Sequence, residues 1–287
     1  MKVHKWFILT LAAIISWGLY GVAYNLAAKN IPTLPNQVLS TLGLILPALF
    51  VVPSVLRERR HKAGLWIAFI SGLFGTLGNL ALFASLSESG QAAVILPLTA
   101  LYPLITVVVA VAFMHERARA SQGLGIGLAL IAVVLLSMEA GTSSRIVLRL
   151  APWLIFGLGA LLAFGLAAVF QKLATNRVSA ETAFAMFALA FVPSSILIYL
   201  AERWPQRLHA GPVICSIVGG LLNGLGVLAT LAAYRSGGKA AVVTPLAAIY
   251  PVVTVIIAVM LLGEKLNALQ AAGSIVAIIA AFFLARE

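Results

Sequence analysis

The sequence predicts an all-α membrane protein with ten transmembrane helices, arranged as two inverted five-helix repeats. Hydrophobic residues make up 62% of the 287 residues and charged residues only 9%, whereas a soluble protein has about 25% charged residues. Apolar runs of about 20 residues, the length that crosses a bilayer as a helix, recur along the chain. Segments 90–117 and 238–265 are also near copies, with 14 of 28 positions identical at a constant offset of 148. Such a repeat indicates one membrane unit used twice.

Apolar runs between charged or Gly/Pro-rich breaks predict the individual helices. They lie at residues 6–28, 36–56, 64–87, 91–113, 121–139, 152–174, 181–200, 212–235, 240–262 and 268–285. The first run has the basic start of a signal peptide, but it is longer than a signal core. Its end also resembles segment 164–176 at an offset of 147, where Gly18 matches Gly165 and Leu26 matches Leu173. We therefore expect the first run to be retained as a helix.

The helix count fixes how the two units are arranged. We expect one unit at residues 1–140 and the second at 150–287, joined by a polar loop over 140–151. Because each unit has five helices, the second enters the membrane upside down relative to the first. Inverted repeats place their binding site near the bilayer midplane, between the halves.

The net charge of +11 is explained by topology rather than by a nucleic-acid partner. With both termini in the cytoplasm, 13 of the 19 Lys and Arg residues fall on the cytoplasmic side, including those of RERRHK at 57–62. Positive residues mark cytoplasmic loops. The sequence therefore predicts a multi-pass protein of the cytoplasmic (inner) membrane, with N- and C-termini inside and membrane lipids around it.

Several motifs together resemble a known family. They are Ser16-Trp17-Gly18, the Tyr-Pro segments GQAAVILPLTALYPLITV and GKAAVVTPLAAIYPVVTV, and the pairs Glu116-Arg117 and Glu264-Lys265. In these the chain resembles the drug/metabolite transporter superfamily, specifically its EamA-type ten-helix members. The resemblance implies a secondary transporter that moves small metabolites, often amino acids, sugars or drugs, through a central cavity lined by both halves.

Polar and aromatic residues inside the predicted helices are the candidate substrate-binding residues, because such groups gain nothing by facing lipid. They are Trp17, Tyr20, Tyr24, Asn79, Thr99, Tyr102, Asn223 and Tyr250. Aromatic rings with amide groups suit a small amphipathic solute that has hydrogen-bonding ends. The alternative is that these groups join helices, since Ser, Thr and Asn do so at about 0.6–2 kcal/mol each.

Four prolines are the candidate hinges: Pro97, Pro103, Pro245 and Pro251. A proline inside a helix lacks an amide hydrogen, so Pro103 and Pro251 free the carbonyls of Thr99 and Ala247. In hydrocarbon an unpaired carbonyl is tolerated only where protein, water or ligand supplies a donor. The alternative is that neighbouring groups satisfy these carbonyls and the kinks only shape the bundle.

The residue types that are absent from the interior of the predicted helices narrow the range of functions. All eight acidic residues and all four histidines fall at helix ends or in loops, and Cys215 is the only cysteine. No grouping of residues suggests catalysis, a metal site or a cofactor, so we do not expect an enzyme. Without a carboxylate inside the membrane, a neutral or zwitterionic solute fits better than a cationic drug exchanged for protons.

The sequence thus predicts an exporter of small neutral or zwitterionic metabolites such as amino acids, working by alternating access. Two alternatives stay open: a lipid-linked sugar flippase, and a membrane scaffold subunit that transports nothing. Lys172, Arg235 and Lys239, at the cytoplasmic helix ends, are candidates for attracting a carboxylate or phosphate group. The alternative is that they are positive-inside residues whose side chains reach the lipid headgroups. Small residues at four-residue spacing, Gly123/Gly127, Gly220/Gly224 and Gly273/Ala277, serve either internal packing or a homodimer contact.

Overall fold

A computed structural model gives the architecture of the chain. It describes residues 5–58, 61–89, 91–105, 109, 120–136, 151–202, 204, 207–238, 243 and 246–284. Within them lie ten α-helices, α1 to α10. Their bounds are Lys5–Ala28, Thr33–Arg57, Lys62–Ser89, Ala92–Thr99, Ala120–Leu136, Pro152–Thr175, Ala180–Ala201, Ala210–Arg235, Pro251–Met260 and Ala268–Leu284. This confirms the predicted all-α membrane fold.

The helices differ in length. In the described part of the chain, α1, α2, α3, α6, α7 and α8 are long and apolar enough to cross a membrane. The other four are shorter as described. The bundle exposes large apolar side chains on its outer surface, among them Phe50 at 86% and Leu261 at 77%. In water such a surface would drive aggregation, so its natural surrounding is lipid.

The two Tyr-Pro segments break their helices in the same way. The predicted helix 91–113 is interrupted, because α4 ends at Thr99 and the next amides bond three residues back: Tyr102 N donates to Thr99 O at 3.1 Å. The predicted helix 240–262 is interrupted likewise, and Tyr250 N donates to Ala247 O at 3.1 Å before α9 begins at Pro251. Both breaks are short runs of tight turns with i→i+3 hydrogen bonds, as in a 3₁₀ helix.

These turns correct the expectation that proline leaves two carbonyls without partners. The carbonyl that loses the amide of residue i+4 to proline accepts instead the amide of residue i+3. In a helix with a proline this shift to i→i+3 bonding is a local way to satisfy the backbone. The backbone at the breaks is therefore paired, and it is the side chains of the turn that can meet a ligand.

Helix packing follows the inverted repeat. The first helix of each half, α1 or α6, packs along the third helix of the other half, α8 or α3. The second helices do the same, with α2 against α8 and α7 against α3. Each contact thus occurs twice, as a two-fold axis between the halves requires.

Close glycine contacts repeat at the same two offsets. A Cβ added to Gly220 would overlap the Ser40 carbonyl, and one added to Gly72, 148 residues earlier, would overlap the Phe187 carbonyl. Phe187 lies 147 residues after Ser40. Small residues let membrane helices approach backbone to backbone. The two crossings are therefore copies of each other in the two halves.

Of the other predicted small-residue pairs, some glycines pack against neighbouring helices and others have open space beside them. Gly224 lies against Pro47 and Gly273 against Leu135 and Leu136, so both serve internal packing. A Cβ on Gly123 or Gly127 would meet no atom of the described residues within 4 Å, its own helix aside. A homodimer contact at that face of α5 stays a prediction.

Candidate functional site

One cavity lies between the two halves, and about 630 Å³ of space free of protein atoms lies within it and its open mouth together. In the described chain it is lined by Trp17, Tyr20, Gly75, Tyr102, Phe164, Ala167, Ala168, Gln171, Phe187, Asn223, Val227, Thr230, Tyr234 and Tyr250. Both Tyr-Pro tyrosines are among them, so the breaks in the helices deliver their side chains to this cavity.

Among the described residues, the lining of this cavity extends from the middle of the bundle toward one end. On α8 its lining runs from Asn223, in the middle, to Tyr234, in the last turn, a distance of about 16 Å along the axis. On α6 it runs from Phe164 to Gln171. We call the end at which α6 and α8 terminate the open end, and the opposite end, at which α1 and α3 terminate, the closed end.

Each Tyr-Pro turn is held by a glycine of the other half. A Cβ on Gly18 would meet Val253 and the Tyr250 carbonyl, and one on Gly165 would meet Ile105 and the Tyr102 carbonyl. Both pairs of neighbours are related by the repeat offsets. A larger residue at Gly18, the last residue of the Ser16-Trp17-Gly18 motif, would push the turn away. The motif thus positions Tyr250.

Aromatic rings form the inner wall of the cavity. The ring centroid of Tyr250 lies 6.0 Å from those of both Trp17 and Tyr20, at edge-on and tilted angles. Thr99 supports Tyr250 from behind, because its Oγ1 lies 3.2 Å from the Tyr250 hydroxyl oxygen. This wall combines flat apolar surface with hydroxyl groups.

The rim at the open end carries a positive charge. Lys172 is exposed, and its Nζ lies 5.9 Å from the centroid of the Tyr234 ring. A cation over an aromatic face is attracted by the ring. In the described lining itself there is no charged side chain.

Five of the eight predicted substrate-binding residues lie in the lining: Trp17, Tyr20, Tyr102, Asn223 and Tyr250. Three lie behind it. Tyr24 is fully buried and packs on Phe83 with ring centroids 4.5 Å apart. Asn79 Nδ2 donates to the Tyr24 hydroxyl at 3.4 Å, and Thr99 supports Tyr250. Tyr24 and Asn79 belong to the closed end, where the cavity does not reach.

The structure describes three of the four prolines that were predicted as hinges. Pro97 is buried inside α4, Pro103 follows the first break and Pro251 begins α9 after the second. Pro245 lies outside the described residues. Whether these prolines act as hinges stays a prediction.

Several lining residues were not predicted, yet the repeat held a signal for them. Phe164, Ala167 and Gln171 stand 147 residues after Trp17, Tyr20 and Tyr24. Adding the offset of 147, which relates α1 to α6, to the numbers of the predicted residues on α1 would have identified all three. Phe187 and Val227 carry no polar group, so a search for polar residues passes over them.

Comparisons with known proteins agree with the fold. The family model described as the EamA-like transporter family matches the chain twice, at residues 4–138 and 151–286. A solved structure described as "Crystal structure of protein" aligns with a TM-score of 0.64 and 21% sequence identity, over 96% of this chain and 94% of that one. No curated protein matches the sequence.

Proposed function

Because the chain belongs to the EamA-like transporter family, whose members are membrane transporters of small molecules, we propose that it exports small neutral or zwitterionic metabolites such as amino acids. It acts as a secondary transporter by alternating access. The observation that carries the proposal is the cavity between the halves, with Tyr102 and Tyr250 in its wall.

The chemistry of the cavity supports this substrate class. Its lining combines the rings of Trp17 and the tyrosines with the amides of Gln171 and Asn223. Rings cover an apolar body, while amides and hydroxyls serve hydrogen-bonding ends. The described lining offers no carboxylate to balance a cationic solute.

The charge at the rim supports a solute that carries a carboxylate among its groups. Lys172 stands beside Tyr234 at the open end, and Arg235 follows directly after it on α8. Cations at the mouth of a low-dielectric cleft raise the local concentration of anionic groups. A zwitterion satisfies both conditions, because its carboxylate meets the rim and its net charge remains zero.

The positive-inside rule supports a cavity that faces the cytoplasm. It orients the open end, with Arg57, Lys172, Arg177 and Arg235, toward the cytoplasm of the inner membrane. In this conformation a solute can bind from the cytoplasm, as the first step of export requires. The tight turns before Pro103 and Pro251 are the places at which the halves bend as the cavity changes sides.

The test uses purified protein in liposomes loaded with a mixture of amino acids, sugars and small drugs. Mass spectrometry follows which compounds leave, with and without a proton gradient, compared with liposomes that lack protein. We expect zwitterionic compounds to leave faster. Faster scrambling of a labelled lipid with no solute efflux would favour a flippase, and neither activity would favour a scaffold.

The double variant Tyr102→Phe with Tyr250→Phe tests whether efflux depends on this cavity. It removes two hydroxyls from the wall and leaves the rings. We expect flux of the transported compound to fall about tenfold, since a lost hydrogen bond weakens binding by about 0.5–1.5 kcal/mol. The matched control is Tyr199→Phe, because Tyr199 is 59% exposed on α7. Equal flux in all three proteins would contradict the proposed site.

A further inference from the structure

A buried polar cluster continues from the cavity toward the closed end. Tyr24 and Asn79 are 0% and 2% exposed, and Ser40 is 1% exposed. Asn79 Nδ2 donates to the Tyr24 hydroxyl, which also interacts with the side chains of Ser40 and Asn223. Asn223 lines the cavity, so the cluster begins at the cavity wall.

The cluster contains a buried acceptor without a protein partner. Asn79 Oδ1 makes no hydrogen bond to any described residue. Burying an unpaired polar group in a membrane is unfavourable by several kcal/mol. A conformation that brings water or a polar ligand to Asn79 Oδ1 relieves this penalty.

The repeat gives an independent reason to assign this cluster to the substrate path. Counted with the repeat offsets, Tyr24 corresponds to Gln171, Ser40 to Phe187 and Asn79 to Val227. All three counterparts line the cavity at the open end. When two inverted halves exchange conformations, each residue takes up the surroundings of its counterpart. The cluster therefore lines the cavity once the closed end opens.

A carboxylate holds the closed end shut. Glu264 Oε1 accepts a hydrogen bond from Asn25 Nδ2 at 2.6 Å, and its two oxygens accept the amides of Ala92 and Ala93 at 3.3 and 3.0 Å. These bonds tie the segment after α9, in the second half, to α1 and α4 of the first. Hydrogen bonds to a charged acceptor are among the stronger ones in proteins.

The position of this contact matches the mouth of the cavity. Asn25 corresponds by the repeat to Lys172, which stands at the open rim. Gly263, with φ of 66°, makes the turn that directs Glu264 toward α4, a conformation that favours glycine. Glu264 therefore joins the two halves at the place that must separate for the closed end to open.

From these observations we propose that Tyr24, Ser40 and Asn79 form a second substrate-binding site, an exit subsite for the polar groups of a neutral or zwitterionic solute, and that Glu264 is the gate that covers it. The proposal rests on the proposed function for its substrate. The gate itself is tested without transport, so the two can fail separately.

The first experiment measures the accessibility of Ser40. A Ser40→Cys variant in a Cys215→Ala background, in nanodiscs, is treated with a charged methanethiosulfonate reagent, and modification is followed by intact mass. Asn30→Cys, at the exposed closed end, gives the rate for an open site. We expect Ser40→Cys to react at least ten times more slowly than Asn30→Cys, because Ser40 is buried.

Adding Glu264→Gln should raise the Ser40→Cys rate about tenfold, because the amide keeps the shape but loses the charged hydrogen bonds. Glu202→Gln is the matched control, since Glu202 also ends a helix at the closed end, after α7. An unchanged rate with Glu264→Gln, or an equal rise with Glu202→Gln, would overturn the gate. If Glu264→Gln does not fold, Asn25→Ala breaks one of the same bonds and is judged by the same criteria.

The subsite is tested with Asn79→Val, which installs the residue found at the counterpart Val227. Because the change removes an unpaired buried acceptor, we expect the melting temperature to stay equal or rise while flux of the transported compound falls about tenfold. A structural role predicts the reverse, a lower melting temperature with normal flux, and that result would overturn the subsite.

Discussion

Glu58 shows how a single side chain joins the halves at the open end. It follows α2 of the first half, and its carboxylate accepts hydrogen bonds from Ser179 N at 2.8 Å and Ser179 Oγ at 2.5 Å. It also accepts one from the Thr182 hydroxyl. Ser179 caps the start of α7 in the second half, where a negative charge is favourable. Glu58 therefore binds the two helices together outside the hydrocarbon.

These contacts change the acidity of Glu58. Partial burial tends to raise its pKa, but the hydrogen bonds from Ser179 and Thr182 and the nearby charge of Arg235 outweigh burial and hold the pKa below the ordinary 4.5. A carboxyl whose pKa is lower in the folded than in the unfolded chain stabilises the fold above the unfolded value. That contribution is lost as the pH falls through the folded pKa.

We expect the melting temperature of the wild-type protein in detergent to fall as the pH is lowered below about 4.5, and to fall less steeply in Glu58→Gln. The reason is that the variant has no carboxylate to protonate at this contact. Thermal unfolding between pH 3 and 7 measures the difference. Glu202→Gln should behave like the wild type, and a Glu58→Gln curve parallel to the wild type would contradict the assigned role of Glu58.

At the level of single residues, the sequence predicted a place in the cavity for the tyrosine that the repeat carries in both halves. Tyr102 and Tyr250 were predicted because each precedes a proline inside an apolar run, and both line the cavity. Tyr24 was predicted on the same polar stripe of α1 as Tyr20, but it is covered in this conformation. Periodicity gives the face of a helix, and it does not tell which end of the cavity is open.

At the scale of elements, the interrupted helices are the places at which we expect the bundle to bend. The sequence predicted a break at each Tyr-Pro, because proline removes a helix hydrogen bond. It did not predict that i→i+3 bonds would satisfy the carbonyls of Thr99 and Ala247. That arrangement depends on how the glycines Gly18 and Gly165 of the opposite half admit the turns, which is a long-range contact.

Replacing both prolines tests whether the breaks are hinges. In Pro103→Ala with Pro251→Ala the restored amides can bond to the carbonyls of Thr99 and Ala247, so the helices can run on without a break. We expect an equal or higher melting temperature, because alanine is a better helix former than proline and supplies the missing amide, and a flux that is several-fold lower. Efflux from liposomes and thermal unfolding are measured on the same preparations.

Pro53→Ala is the control for this prediction, because Pro53 is exposed within α2 and away from the cavity. It should leave flux unchanged. Normal flux in the double variant, together with a higher melting temperature, would show that Pro103 and Pro251 only shape the bundle.

At the scale of the whole molecule, the two halves have nearly the same contacts and yet differ in conformation. The crossings at Gly72 and Gly220 and the turns at Gly18 and Gly165 are copies. The two ends nevertheless differ, since the described lining of the cavity runs to the open end and Glu264 joins the two halves at the closed end. Exchanging the conformations of the halves would turn the open end into the closed one.

The sequence predicted this plan from a 28-residue repeat and an odd helix count. It could not predict the asymmetry between the ends. Pairs such as Asn25 and Lys172 correspond by offset, but only coordinates show that one is bound to Glu264 while the other stands at an open rim. The difference between two states of similar energy is set by a few contacts spread over the molecule.

The most direct test of the account is to measure both ends of the same protein by distances between spin labels. In a Cys215→Ala background, labels at Arg177→Cys and Arg235→Cys report the open end. Labels at Asn30→Cys and Ser87→Cys, their counterparts by the repeat, report the closed end. Each pair is measured by pulsed electron resonance in nanodiscs, with and without Glu264→Gln and with and without the transported compound.

We expect Glu264→Gln, or the transported compound, to lengthen the distance at the closed end and to shorten the distance at the open end. If the two distances change in opposite directions, the cavity between the inverted halves opens to one end while it closes to the other. Distances that lengthen together, or closed-end distances that stay fixed while the compound is still transported, would contradict the account.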